Sequence, residues 1–334
     1  MNRFARPVLL GVMMLCHLLT AGCHNLWSPF LATNPECQAN AVLCESEKTD
    51  GAPASVCTAD NWCLRSSVSQ GRPVRAMWGS DPQNIWIVGD GGTILKGNGS
   101  SWSAQSSGTA TNLYGVWGSD ASNVWAVGES GTILKWNGSV WSAQSSGTPQ
   151  WLFQAWGSAA SNVWAVGAVG TVLKWDGSMW SSQASVTNSN LAGVWGSDPA
   201  NVWAVGLAGT IVKWNGTAWS PQTSGTSKDL FGVRGSDATN VWAVGDAGTI
   251  LKLSGTTWAS QASGSSQFLR SVWGVDSRSI WVAGHGGTVL KWNGSAWSTQ
   301  STGTAGSLLS VWGSGADNIW VLDVVGSTLH FPTP

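Results

Sequence analysis

A tryptophan recurs every 39 residues through this 334-residue chain, at Trp78, Trp117, Trp156, Trp195, Trp273 and Trp312, with Arg234 standing in the one missing place. A second tryptophan keeps the same stride at Trp86, Trp125, Trp164, Trp203, Trp242, Trp281 and Trp320. A unit of about 40 residues is too short to bury its own apolar face. Seven copies of it restrict the chain to a propeller, solenoid or array in which neighbours cover one another.

Strand chemistry narrows the choice. In the second copy, strands are expected at Leu113–Trp117, Asn123–Val127, Thr132–Trp136 and Val140–Gln144, separated by G-S-D-A-S, G-E-S-G and N-G-S turns. Val124, Trp125, Ala126 and Val127 are continuously apolar, so that strand must be covered on both faces. The fourth strand is polar around Trp141. Polarity rising along the unit places the first strand innermost and the fourth at the rim. The expectation is an all-β, seven-bladed propeller of four-stranded antiparallel blades spanning residues 61–334. Four repeat positions take every tryptophan except Trp27 and Trp151, which makes these side chains inter-blade packing.

The seventh copy, 308–331, stops after its third strand. Ahead of the first copy, Asn61-Trp62-Cys63-Leu64-Arg65 has the look of the missing fourth. The N-terminal segment is therefore expected to complete the last blade and hide the open edges.

Residues 1–22 read as an export signal: Arg3 and Arg6, then an apolar run from Val8 to Leu19, too short to span a bilayer, then small residues. Residues 23–36 read as a tether and 37–60 as a cysteine-rich cap. Cys37, Cys44, Cys57 and Cys63 form an even set in an exported chain, which predicts two disulfides with three pairings open. Zinc-type C-x-x-C spacing is lacking, so no metal is assigned.

Leu19-Thr20-Ala21-Gly22-Cys23 resembles the lipobox of bacterial lipoproteins, which implies cleavage before Cys23 and lipidation of its thiol; with His24 next, the resemblance implies the outer membrane. The unit W-A-V-G-x-x-G-T-I-L-K-x-x-G-x-x-W resembles the BNR or Asp-box propellers, including photosystem-assembly-factor-like proteins and bacterial lipoproteins built from V-W-G-S-D repeats. The Asp-box S-x-D-x-G-x-T-W itself is not met. This resemblance implies a fold and is nearly silent on activity.

In such a disc the second–third turns and the blade-to-blade loops share one rim. The opposite rim repeats G-S-D-x-x-N and N-G-S monotonously, whereas the first rim varies. The position three residues before the first Trp holds Arg75, Tyr114, Phe153, Ala192, Phe231, Arg270 and Leu309. With Arg72, Glu129, Trp151, Phe268 and His285 from the same rim, these aromatics and arginines form a candidate recognition surface at the mouth of the central channel. The lysines Lys96, Lys135, Lys174, Lys213, Lys252 and Lys291 are expected to bridge to Asp81, Asp120, Asp198, Asp237 and Asp276, and Arg234 to stack between neighbouring tryptophans.

Charged residues are 10% of the chain and the net charge is −1, which gives no electrostatic basis for binding nucleic acid. No metal cluster, catalytic triad spacing or phosphate loop is found, so no cofactor and no catalytic residue are assigned. The function expected is that of a monomeric, non-catalytic envelope lipoprotein that holds a protein partner or a glycan. Two alternatives stand beside it: cell-surface recognition or adhesion, and a sialidase-type glycosidase using Arg75, Arg270, Tyr114, Glu129 and Asp90, although that resemblance implies six blades.

Overall fold

The computed structural model describes residues 57–67 and 71–331, so the expected signal, tether, Cys23, Cys37 and Cys44 lie outside the described residues. Seven four-stranded antiparallel sheets follow one another as blades. In blade two the strands run Leu113–Asp120, Asn123–Gly128, Ile133–Trp136 and Trp141–Gln144. The inner strand is longer than its composition suggests because the polar G-S-D segment stays in the ladder, with Asp120 opposite Asn123. The Asp120 carboxylate accepts from the Ser122 backbone N–H at 2.8 Å and from Asn123 Nδ2 at 3.0 Å. The turn thus satisfies its own polar groups and shrinks to two residues.

Blade seven has a different source. Its first three strands are Leu308–Gly315, Asn318–Asp323 and Ser327–Phe331, and its outermost is Cys63–Ser67, antiparallel with Cys63 opposite His330. The chain end expected to clasp the ring does so, pairing as the fourth strand of blade seven. Of the pairings left open, Cys57 bonds to Cys63. Residues 57–60, read as the end of the cap, are fastened to the loop before blade seven: Thr58 Oγ1 donates to the Ser301 carbonyl at 2.7 Å, and Asp60 accepts from the Ser301 N–H at 2.6 Å.

The core lies between blades. Trp86, Trp125, Trp164, Trp203, Trp242 and Trp281 are fully buried on the second strands. Trp86, Trp164, Trp242 and Trp281 meet aromatic rings of the following blade; Trp164, for example, lies 5.1 Å from Trp214 and 5.2 Å from Trp219, edge to face with the latter. The first-position tryptophans form a separate ring around the channel. Each lies across a glycine of the next blade, and a Cβ at Gly118 would come within 2.6 Å of the Trp78 ring. At Gly79, Gly118, Gly157, Gly196, Gly235 and Gly313 an indole of the preceding blade thus occupies the place of a side chain.

The lysines do not bridge to the aspartates as expected. Lys174 Nζ lies 5.0 Å from the Trp164 ring and 5.5 Å from Trp214, and Lys96, Lys135 and Lys252 bridge two blades in the same way. The aspartates are occupied within their own turns, and the ammonium groups find the faces of two rings instead. Among the described residues the lysine ion pair that forms is Lys291 with Asp317, at 4.0 Å.

Candidate site at the variable mouth of the channel

At one rim the inner strands begin beside the hairpin tips, as Leu113 opposite Gly128 shows. The tips are short turns with two consecutive residues in the left-handed region: a glycine at the second place (Gly131, Gly170, Gly209 and Gly248, φ +66° to +70°) and, at the first, Ser130, Val169, Ala208 or Ala247 at φ between +51° and +54°. The N–H of the first residue reaches forward to the next blade: Gly91 N–H donates to Asn112 Oδ1 at 2.8 Å, Val169 N–H to Asn190 Oδ1 at 2.9 Å, and Ala208 N–H to Asp229 Oδ1 at 2.7 Å. Asp229 therefore has a structural task. Trp151 and Phe268 occupy the same repeat position as these acceptors, and their rings are turned to the rim instead.

A cavity of about 380 Å³ opens at this mouth. Arg75, Tyr114, Phe153, Ala192, Phe231, Arg270 and Leu309, all from the one repeat position, line it together with Trp151 from a connecting loop. Tyr114 lies 5.9 Å from both Trp151 and Phe153. Across the mouth, Phe231 and Phe268 rings are 4.2 Å apart, and His285 stacks on Phe268 at 4.6 Å. Phe268 and His285 thus support the wall from behind. Arg72 lies outside the cavity, where its guanidinium donates to the Gly91 carbonyl at 2.8 Å. Trp151 is 48% exposed, the largest aromatic surface left open.

The two arginines differ. Arg75 grips Asp90 through two 2.7 Å hydrogen bonds, and these bonds raise its pKa. Arg270 has no carboxylate partner; its guanidinium lies 5.6 Å from the Phe231 ring. Loss of bulk water around it, followed by the Arg75 charge, lowers its pKa. Tyr114 donates its hydroxyl to Glu129 Oε1 at 2.5 Å, and Asn112 Nδ2 donates to the same oxygen at 2.8 Å. Desolvation and then the Glu129 hydrogen bond push the Tyr114 hydroxyl up to about 12, while that bond holds Glu129 below the usual carboxylate range. The mouth therefore offers one uncommitted cation within an aromatic wall.

Sequence reasoning missed the polar lining from Gln154, Asn190, Ser271 and Ser310. The signal was present in the register: the residue before the inner strand is an acceptor for the preceding tip at Asn112, Asn190 and Asp229 and an aromatic at Trp151 and Phe268. Among the described residues no three His, Cys, Asp or Glu side chains are placed to hold a metal ion.

Fold and channel define a seven-bladed β-propeller with one individual face. No family model matches the sequence, and no curated protein does. Similar solved structures are YCF48 bound to D1 peptide, 17% identical with a TM-score of 0.69 over 85% of this chain and all of that one, and YCF48 from Cyanidioschyzon merolae, 18% identical with a TM-score of 0.68 over 81% of this chain and 99% of the other. The WD40 propeller domain of Doa1 is 14% identical with a TM-score of 0.68, over 82% of this chain and 97% of that domain. At these identities the likeness is one of fold.

Proposed function

We propose that this chain is a non-catalytic interaction protein, exported and held at the outer membrane by a lipid on Cys23, whose variable mouth binds an extended segment of an envelope protein. One observation carries the reading: the unpaired Arg270 guanidinium stands in a 380 Å³ cavity walled by Tyr114, Trp151, Phe153 and Phe231. Large, rigid aromatics beside an arginine are the chemistry of a binding hot spot. A propeller of the same fold solved with a bound D1 peptide supports a peptide over a glycan as the occupant.

Crosslinking of the lipidated protein in cells, followed by identification of what it holds, tests this. Phe153→Ala and Arg270→Ala should each abolish capture while leaving the thermal midpoint within about 2 °C. Trp125→Ala should instead cost about 3–5 kcal/mol of stability. If the rim variants capture normally, the mouth is not the site.

The Tyr114–Glu129 pair favours one second reading, a sialidase-type hydrolase. Against it, both Arg75 guanidinium bonds are spent on Asp90, which leaves Arg270 alone for a substrate carboxylate. A fluorogenic sialoside should show no turnover even at high protein concentration.

A further inference from the structure

The opposite mouth of the channel breaks its own pattern at one place. Around six of the seven seams a first-position tryptophan lies across the next blade's glycine: Trp312 on Gly79, Trp78 on Gly118, Trp117 on Gly157, Trp156 on Gly196, Trp195 on Gly235 and Trp273 on Gly313. At the seventh seam the residue is Arg234, and the atoms nearest to a Cβ on Gly274 belong to Ile280 and Ser279 of the same blade. The guanidinium does not cover what an indole covers. A cavity of about 410 Å³ opens there, walled by Trp78, Trp195, Trp273 and Trp312 with Arg234 in its lining.

Arg234 does not stack as the sequence suggested. Among the described residues the cation–π contacts are made by the lysines and Arg270, and Arg234 makes none. Nor does it pair: its Nε is sealed from water without an acceptor, and no carboxylate forms an ion pair with it. Water reaches part of the side chain through the mouth, yet burial alone lowers the guanidinium pKa to about 10. Aspartates of this rim are committed within their own turns. Asp237 accepts from Ser236, Thr239 and Asn240, Asp198 from Ser197, Ala200 and Asn201, and Asp81 from Ser80, Gln83 and Asn84. A cation held among protein atoms without an anion is costly, and repeat logic offers a tryptophan that would remove the cost.

We propose that this second mouth is a binding site for a small monoanion bearing a carboxylate, with Arg234 as the residue that receives it. A single guanidinium matches a single carboxylate in bidentate geometry. The surrounding aspartates disfavour a more highly charged ligand such as a phosphate dianion. The tryptophan walls suit a planar or ring-shaped body behind the head group.

The test titrates the full-length protein with benzoate and with glucuronate, following tryptophan fluorescence and calorimetric heat, and with benzamide as the neutral isostere of benzoate. Saturable binding of either acid is expected, weakened at least about tenfold in Arg234→Trp, which restores the repeat and fills the gap. A thermal melt of that variant checks its fold. Benzoate alone would assign an aromatic acid, glucuronate alone an acidic sugar. Absence of saturation with both acids, equal binding of benzamide, or undiminished binding in folded Arg234→Trp would overturn the proposal.

Discussion

Trp62 meets Trp281 edge to face, with ring centroids 5.8 Å apart and planes at 83°. Trp297 meets Trp242 in the same way, at 5.3 Å and 85°, inside the continuous part of the ring. Phe331 completes the correspondence, lying 5.1 Å from Trp281 where Trp292 lies 5.1 Å from Trp242. Two distant chain ends thus rebuild a contact that Trp86, Trp164 and Trp242 make with blades built from continuous chain.

Closure should therefore be strong and cooperative with the rest of the ring. Trp62 is fully buried, and Trp62→Ala is expected to cost about 3–5 kcal/mol through lost burial and the cavity left behind. Denaturant unfolding measures it. A loss under about 1 kcal/mol would mean that the clasp is a passive appendage.

Val169 holds a left-handed backbone at φ +53°, and its side chain is 57% exposed. Gly91 and Gly286 occupy the same repeat position in other blades. Val169→Gly should raise stability by about 1 kcal/mol, because a β-branched residue is strained there and little packing is lost. A higher thermal midpoint checks this.

Blade five has Leu253 where blades two, three, four and six have a third-strand tryptophan, and Lys213 accordingly lies over one ring, Trp203 at 4.9 Å, where Lys174 lies over two. Leu253→Trp restores the second ring. It should stabilise the protein by about 0.5–2 kcal/mol, as substitutions toward a repeat consensus commonly do. A lowered midpoint would show that blade five has repacked around the smaller side chain.

His330 is buried against Trp320, its Nε2 2.6 Å from Asn318 Oδ1 and its Nδ1 3.4 Å from Arg65 Nη2. These partners assign a neutral ring that donates from Nε2 and accepts at Nδ1. Burial, and then the Arg65 charge, push its pKa down to about 4 from 6.5. The unfolded chain therefore binds this proton more readily. The stabilisation is complete above about pH 6.5 and is lost as pH falls through 4, by roughly 3 kcal/mol in all. Stability measured between pH 4 and 7 should show this slope in the native protein and a shallower one in His330→Leu.

Blade number, strand order within a blade and the closing segment were legible because they depend on residue type at a fixed stride: Trp62 announces an outer strand wherever it stands. The variable mouth was legible for the same reason, since Tyr114, Phe153 and Arg270 share one repeat position. The meeting of side chains from different blades was not. Lys174 was expected beside an aspartate on charge alone, and only the packed interface shows two indole faces waiting for it. Arg234 was expected to stack, and only the seam geometry shows that no indole of the preceding blade lies nearest to Gly274, where Ile280 of the same blade does.

The sequence by itself determined a ring of seven like sheets with one monotonous and one individual face, because pleat period, turn chemistry and repeat length are local properties. The tertiary structure alone decided which charges are spent, Arg75 on Asp90 and the six third-strand lysines on their rings, and which carry no ion pair, Arg270 at one mouth and Arg234 at the other. Those outcomes turn on distances of a few ångströms between neighbouring blades, which no single repeat encodes.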